Sequence, residues 1–177
     1  DTVLIACPRQ VGKSEGTATA VDALAIRFPN SNIGVMLNNQ KNAKKFIRRC
    51  YNHLHRAGFD DIIQKHNSET IELTNGSIID CYGMTENVRF NSYTWLIVDE
   101  AAQFTKQVLV GAAMPTTRNA GAFRKWGTPS IILLSTPRGT NGVFADMFMK
   151  GIQSRGLGCK NKKTIYDKSE FASLNIN

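Results

Sequence analysis

Eight residues near the start of the chain, Cys7-Pro8-Arg9-Gln10-Val11-Gly12-Lys13-Ser14, have the types and order to hold a phosphate group. An apolar run, Val3-Leu4-Ile5-Ala6, precedes them and a helix-forming segment opens near Lys13, which predicts a strand, a tight loop and a helix start. The chemistry follows from that context. Backbone N–H groups at a helix start lack intrahelical partners and, with the helix dipole, favour an anion. Lys13 adds a point charge for β- and γ-phosphates, and the Ser14 hydroxyl is a ligand for Mg²⁺. The usual pattern opens with glycine, where this chain has Cys7. A Gly-Lys-Ser falling at a helix start by chance is the plainer reading.

The second chemical landmark is Trp95-Leu96-Ile97-Val98-Asp99-Glu100, an apolar strand ending in two acids. Open α/β sheets carry ligands at the C-terminal ends of their strands, which is where the phosphate loop also lies. Asp99 would support the Mg²⁺ shell, and Glu100 would orient and deprotonate an attacking water. Taken alone, the pair reads equally well as acids at a helix N-terminus. A third strand, Ser130 to Leu134, ends in Ser135-Thr136-Pro137-Arg138-Gly139. Its small hydroxyls could sense a γ-phosphate, or simply shape a turn.

The intervening elements must bring these tips together. Lys13 to Phe28 predicts an Ala-rich helix ended by Pro29-Asn30, and Ile33 to Leu37 a buried parallel strand. From Gln40 to Arg56 the apolar stripe Ala43, Phe46, Ile47, Cys50, Tyr51 and Leu54 opposes Lys41, Lys44, Lys45, Arg48 and Arg49. That basic face is either solvated or a phosphate or partner contact. Two short runs flanking Thr74-Asn75-Gly76 predict a β-hairpin near 69–82, an appendage of the main sheet or its antiparallel edge. Gln103 to Ala113 predicts a helix, 114–129 a loop carrying Arg118, Arg124, Lys125 and Trp126, and Phe144 to Ile152 a last helix. Lys160 to Asn177 is polar, with a strand signal at Thr164-Ile165-Tyr166.

Composition sets the outer bounds. A chain of 177 residues builds one domain with a real core, or is a fragment excised from something longer. The absence of a starting Met and the strand almost at residue 1 favour the fragment. No apolar run approaches the length that spans a bilayer, so a soluble protein is expected. The 22 Lys and Arg against 14 Asp and Glu leave a charge of +8, which suits a polyanionic partner. Cys7, Cys50, Cys81 and Cys159 form no Cys-x-x-Cys pair, and reduced thiols are expected. Cys50, His53 and His55 lie close together, but Cys50 falls on the apolar helix stripe, which argues against a metal site.

Together, Pro8 to Ser14, Ile97-Val98-Asp99-Glu100-Ala101-Ala102 and Leu134-Ser135-Thr136-Pro137-Arg138-Gly139 resemble the ATPase domain of the large terminase subunit, the DNA-packaging motor of tailed bacteriophages and related viruses. The resemblance runs from the first strand to about Ile152. It implies a RecA-like P-loop NTPase of the ASCE class, a mostly parallel α/β sheet flanked by helices, with residues 1–158 as the ATPase domain. Residues 159–177 would then be a tail towards a nuclease domain. The nucleotide set would be Pro8, Arg9, Gln10, Val11, Gly12, Lys13, Ser14 and Glu15, with Ser14 and Asp99 on the metal and Glu100 as the catalytic glutamate. Ser135, Thr136 and Pro137 would couple hydrolysis to DNA movement. Arg9 in cis or Arg89 in trans would be the arginine finger, with a surface arginine or salt bridge the alternative at Arg89.

The implied cofactors are ATP and Mg²⁺. The implied partners are double-stranded DNA, the portal protein, the small terminase subunit and further copies of the chain in a ring. The implied place is the host cytoplasm, docked transiently on a procapsid portal, with no membrane. The family's adenine-contacting segment and its nuclease domain have no counterpart in the sequence, so weak ATP hydrolysis and no DNA cutting are expected. Two other readings stay open: a superfamily 2 helicase, which shares the acidic strand, and a nucleotide-binding scaffold that does not hydrolyse.

Overall fold

The computed structural model describes residues 2–8, 12–83, 92–117, 130–136, 142–153 and 171–175. Within them the chain runs β1 (Thr2–Ala6), α1 (Lys13–Arg27), β2 (Asn32–Leu37), α2 (Gln40–Arg56), β3 (Ile63–His66), β4 (Thr70–Leu73) and β5 (Ile78–Gly83). There follow β6 (Trp95–Val98), β7 (Ser130–Ser135), α3 (Val143–Gln153) and β8 (Phe171–Asn175). The strands form one sheet in the order β3-β4-β5-β2-β6-β7-β1-β8. From β5 to β8 every neighbouring pair is parallel, and β4 is antiparallel to both β3 and β5. A mostly parallel sheet with flanking helices is the fold the motifs implied.

Parallel strands covered on both faces need apolar side chains in both directions, and β2 and β6 have them: Ile33, Val35, Met36, Leu96, Ile97 and Val98 are all buried. On one face α1 and α2 pack through Ala18, Val21, Ala25, Phe46, Ile47, Cys50 and Leu54. On the other, α3 and the segment after β6 enclose Leu4, Tyr93, Leu96, Val98, Phe104, Leu109 and Phe144. Tyr93 fits only because position 34 is glycine: a Cβ there would sit 2.8 Å from the Tyr93 ring.

The expected hairpin is the β4–β5 pair, closed at Gly76 with φ 81° and lying at the antiparallel edge. Its turn also anchors α1, since the Asn75 side-chain amide donates to the Ala25 carbonyl at 2.9 Å. Four expectations need correction. The segment 103–113 is not an α-helix: a 3₁₀ turn over Ala101–Gln103 leads to a π-helix over Gln107–Ala113 and a second 3₁₀ turn over Met114–Thr117. Val108, Val110 and Gly111 are poor α-formers, and Pro115 has no N–H to continue an α ladder. For the same reason Met114–Thr117, expected as the start of a loop, is a 3₁₀ turn instead. A short strand, β3, also lies outside the expected hairpin. Further on, the polar tail contributes β8, whose backbone pairs with β1 from Thr2↔Phe171 to Ala6↔Asn175. The strand signal at 164–166 and the basic loop residues 118–126 lie outside the described residues.

Candidate functional site

β1, β6 and β7 are neighbours, so their C-terminal ends meet at one edge of the sheet. The Cys7 N–H donates to the Ser135 carbonyl at 3.1 Å, which ties the first tip to the third. Cys7 itself is buried, in the place where glycine is usual, and burial raises its thiol pKa against the pull of Lys13. Gly12 caps α1 in the left-handed region, φ 75° and ψ 17°, and no side chain caps the helix. That conformation costs an L-residue about 1 kcal/mol and costs glycine nothing. It turns the chain sharply into the helix whose first-turn N–H groups favour an anion.

Lys13 lies in the first turn of α1, and its ammonium meets both acids of the second motif. Nζ is 2.6 Å from Glu100 Oε1 and 3.0 Å from Asp99 Oδ1. Burial works against the charge on Lys13, but hydrogen bonds and the negative charge of Glu100 and Asp99 outweigh it and hold the pKa above the ordinary lysine range. Asp99 is buried, and its Oδ1 also accepts from the Glu100 N–H at 2.9 Å. The Ser14 hydroxyl lies 3.4 Å from Asp99 Oδ2, at the outer limit of a hydrogen bond. Glu100 has φ 57° and ψ 40°, an uncommon conformation for a non-glycine residue.

The third tip docks onto the second. Ser135 Oγ accepts from the Ala102 N–H at 3.1 Å and lies 3.3 Å from the Thr136 carbonyl as donor. Lys13, Ser14, Asp99, Glu100, Ser135 and Thr136 are therefore assembled at one edge. Pro8 is exposed just beyond β1. Glu15 turns away from this group: its carboxylate pairs with Arg49 at 2.9 Å and with His53 at 2.7 Å, both on α2. Arg9, Gln10, Val11, Arg89 and Pro137 lie outside the described residues.

The geometry adds partners that the sequence did not single out. Gln103 Nε2 lies 3.4 Å from Glu100 Oε2, and Gln103 Oε1 lies 3.4 Å from the Asn38 amide nitrogen. The Asn38 side-chain oxygen accepts from Asn42 at 2.6 Å, in the first turn of α2. Polar residues one turn past an acidic strand tip were the available signal. A second group lies between α1 and α2, where Asp22 is 5% exposed and neither of its oxygens has a well-aligned hydrogen bond. His53 Nδ1 stands 3.3 Å from Asp22 Oδ2, near enough to attract but misaligned. Burial pushes the Asp22 carboxyl up to about 7 against the opposing pull of Cys50 and His53. His53 is thus engaged by two carboxylates, and among the described residues no group of three or more His, Cys, Asp or Glu is placed to hold a metal.

A family model described as RNA cytidine acetyltransferase NAT10/TcmA, helicase domain, matches residues 4–120, about two-thirds of the chain. The chain belongs to that family. The match spans the phosphate loop and the acidic strand, the two segments that supply Lys13, Asp99 and Glu100. No curated protein matches in sequence.

Solved structures with the same fold include large terminases. The chain is similar to the large terminase ATPase domain of Thermus phage P74-26, with 20% identity and a TM-score of 0.69, covering 98% of this chain and 74% of that one. It is also similar to the large terminase of bacteriophage HK97, with 14% identity and a TM-score of 0.75, over 96% of this chain and 36% of that one. A third is the large terminase of a thermophilic bacteriophage in complex with ATP-gamma-S, with 12% identity and a TM-score of 0.67, over 99% and 39%. The chain thus has the architecture of a terminase ATPase domain and spans little more than a third of the two longer terminases. No helix among the described residues is long and apolar enough to cross a membrane.

Proposed function

We propose that this chain is an ATP-hydrolysing motor domain of the terminase large-subunit type, using ATP to translocate double-stranded DNA into a procapsid. The observation that carries the reading is the convergence of Lys13 and Glu100, 87 positions apart, to 2.6 Å at adjoining strand tips. A lysine at a helix start, held against two carboxylates, can exchange an acid for a phosphate, and the carboxylate then faces the nucleotide. The thermophilic-phage terminase, named as a complex with ADP in one structure and ATP-gamma-S in another, supports nucleotide binding.

Ser14 and Asp99 fit Mg²⁺ by donor chemistry. Both offer hard oxygens on neighbouring side chains, and Mg²⁺ commonly takes one or two protein oxygens beside phosphates and water. Bound there, Mg²⁺ would neutralise charge on the β- and γ-oxygens. The chain's own residues do the rest. The α1 N-terminus and Lys13 hold the phosphates, and Glu100 orients the water and accepts its proton. Arg9 in cis or Arg89 from a neighbouring copy stabilises the transition state. Ser135, through Ala102, links the Glu100 segment to β7, so a change at the γ-phosphate is felt at the coupling motif.

In this reading residues 1–158 form the bulk of the ATPase domain, and β8, at Phe171–Asn175, completes its sheet beside β1. The portal, the small terminase subunit and a ring of copies are the assembly such a motor would need, in the host cytoplasm. The test is DNA-stimulated phosphate release by parent and Glu100→Gln chains. Turnover in the parent and a loss of 10²-fold or more in the variant is expected, whereas undiminished turnover in the variant overturns the assignment. The helicase-domain family match favours a second reading, duplex unwinding. A strand-displacement assay separates the two, because a packaging motor moves along DNA without parting its strands.

A further inference from the structure

We propose that the outer face of α2, through Lys41, Lys44, Lys45 and Arg48, is a docking surface for the phosphate backbone of duplex DNA. The proposal deepens the motor reading by naming where the polyanion lies. The helix has 17 residues, six of them Lys or Arg and none Asp or Glu. It therefore carries six of the chain's eight net positive charges, leaving +2 for the other 160 residues. Two of its basic groups, Arg49 and His53, pair with Glu15 on α1 instead. Lys41, Lys44, Lys45 and Arg48 are exposed, and none forms an ion pair among the described residues.

Their spacing, i, i+3, i+4 and i+7, places all four on one side of the helix. At about 1.5 Å per residue they span about 10 Å, a length over which duplex DNA presents about six phosphate charges. The site edge is close by. The helix begins directly beyond β2, at the same sheet edge as Lys13 and Glu100, with Asn39 accepting from the Asn42 N–H as its cap.

The rest of the helix discriminates between polyanions. Its large apolar side chains, Phe46, Ile47 and Leu54, are all 1% exposed or less against the sheet. An interfacial membrane helix needs an apolar face to insert, and this one has none left to offer. A protein partner would look for a buried aromatic or aliphatic anchor, and the stripe has none. A surface that offers charge at helical spacing and nothing else fits a backbone read without regard to sequence.

The experiment is fluorescence anisotropy of the whole chain against a labelled 30-base-pair duplex DNA, and against duplex RNA of the same length, from 50 to 300 mM KCl. Replacing Lys41, Lys44, Lys45 and Arg48 together by Gln should lower the slope of log K against log salt by about 3 to 4 on DNA, at about 0.9 per lost phosphate contact. It should weaken binding more than a hundredfold at 50 mM. Arg48→Gln alone should lower the slope by about 1. Changing the three lysines to Arg should keep both slope and affinity, and a Lys106→Gln, Lys150→Gln pair elsewhere should change neither. Affinity for a fluorescent ATP analogue checks that each variant is folded.

Binding of both duplexes through the stripe identifies the shared backbone. A stripe-dependent preference for DNA supports the proposal, and a stripe-dependent preference for RNA overturns it. The proposal is overturned if the fourfold variant keeps its slope, if the parent binds neither duplex, or if the stripe governs binding to anionic vesicles instead. Loss of hydrolysis in Glu100→Gln together with stripe-independent DNA binding removes the surface and leaves the motor chemistry standing. Hydrolysis that survives in Glu100→Gln removes the motor chemistry without touching the binding result.

Discussion

Replacing Asp22 by Asn should stabilise the fold, by an amount set by pH. Asp22 sits between α1 and α2, its carboxyl pushed by burial from 3.8 to about 7. Because the folded chain holds this proton more tightly than the unfolded chain, stability falls as pH rises from about 4 to about 7. Below that window the carboxyl is neutral in both states and nothing is lost; above it, the folded chain bears the full cost of a buried charge. That shift corresponds to on the order of 4 kcal/mol at 1.36 kcal/mol per pH unit. Asn is nearly the same size and cannot ionise. The variant should match the parent at pH 4 and exceed it by up to that amount at pH 8, which is a gain of about 10 °C in melting temperature for a chain of this size. Urea denaturation at pH 4, 6 and 8 measures it, with equal m-values as the check on two-state behaviour. Parallel stability curves for parent and variant across this range would refute the argument, because they would show Asp22 ionising without cost in the folded chain.

Other outcomes follow from the same geometry. Lys13→Ala removes the cation held by Asp99 and Glu100 and should weaken nucleotide affinity at least tenfold by equilibrium binding, without unfolding the chain. Gly12→Ala meets no neighbouring atom, so the backbone conformation alone should lower stability by about 1 kcal/mol in urea titration. Phe46→Ala empties a site 1% exposed beneath α2 and should cost about 3–5 kcal/mol. Ser135→Ala deprives the Ala102 N–H of its acceptor and should lower DNA-stimulated turnover more than nucleotide affinity.

The site motifs were legible because each is a short string whose neighbours set its geometry. Gly-Lys-Ser after an apolar strand, and Asp-Glu at the end of another, specify their strand tips locally. The parallel sheet then had only to align β1, β6 and β7. What stayed hidden depends on distant registration. Asp22 and His53 are 31 positions apart, and nothing in an Ala-rich helix shows which turn will face which histidine. Gln103 reads as one more helix residue until the π-helix is seen to begin beyond it. The 3₁₀ and π geometry of 101–117 is a compromise between β-branched residues, Gly111 and Pro115, which no simple period describes. β8 was missed because its five residues mix apolar and polar types inside a polar tail, and its pairing with β1 comes from tertiary contact at the sheet edge.

The twisted backbone at Glu100 separates two things that usually travel together. The acid's position comes from main-chain torsion, whereas its chemistry comes from the side chain, so mutation can alter either one while sparing the other. Asn, which tolerates this torsion, should give a well-folded but inert chain. Val, which resists it, should harm folding as well. A comparison of the two would show how much conformational stability the protein gives up to aim one carboxylate.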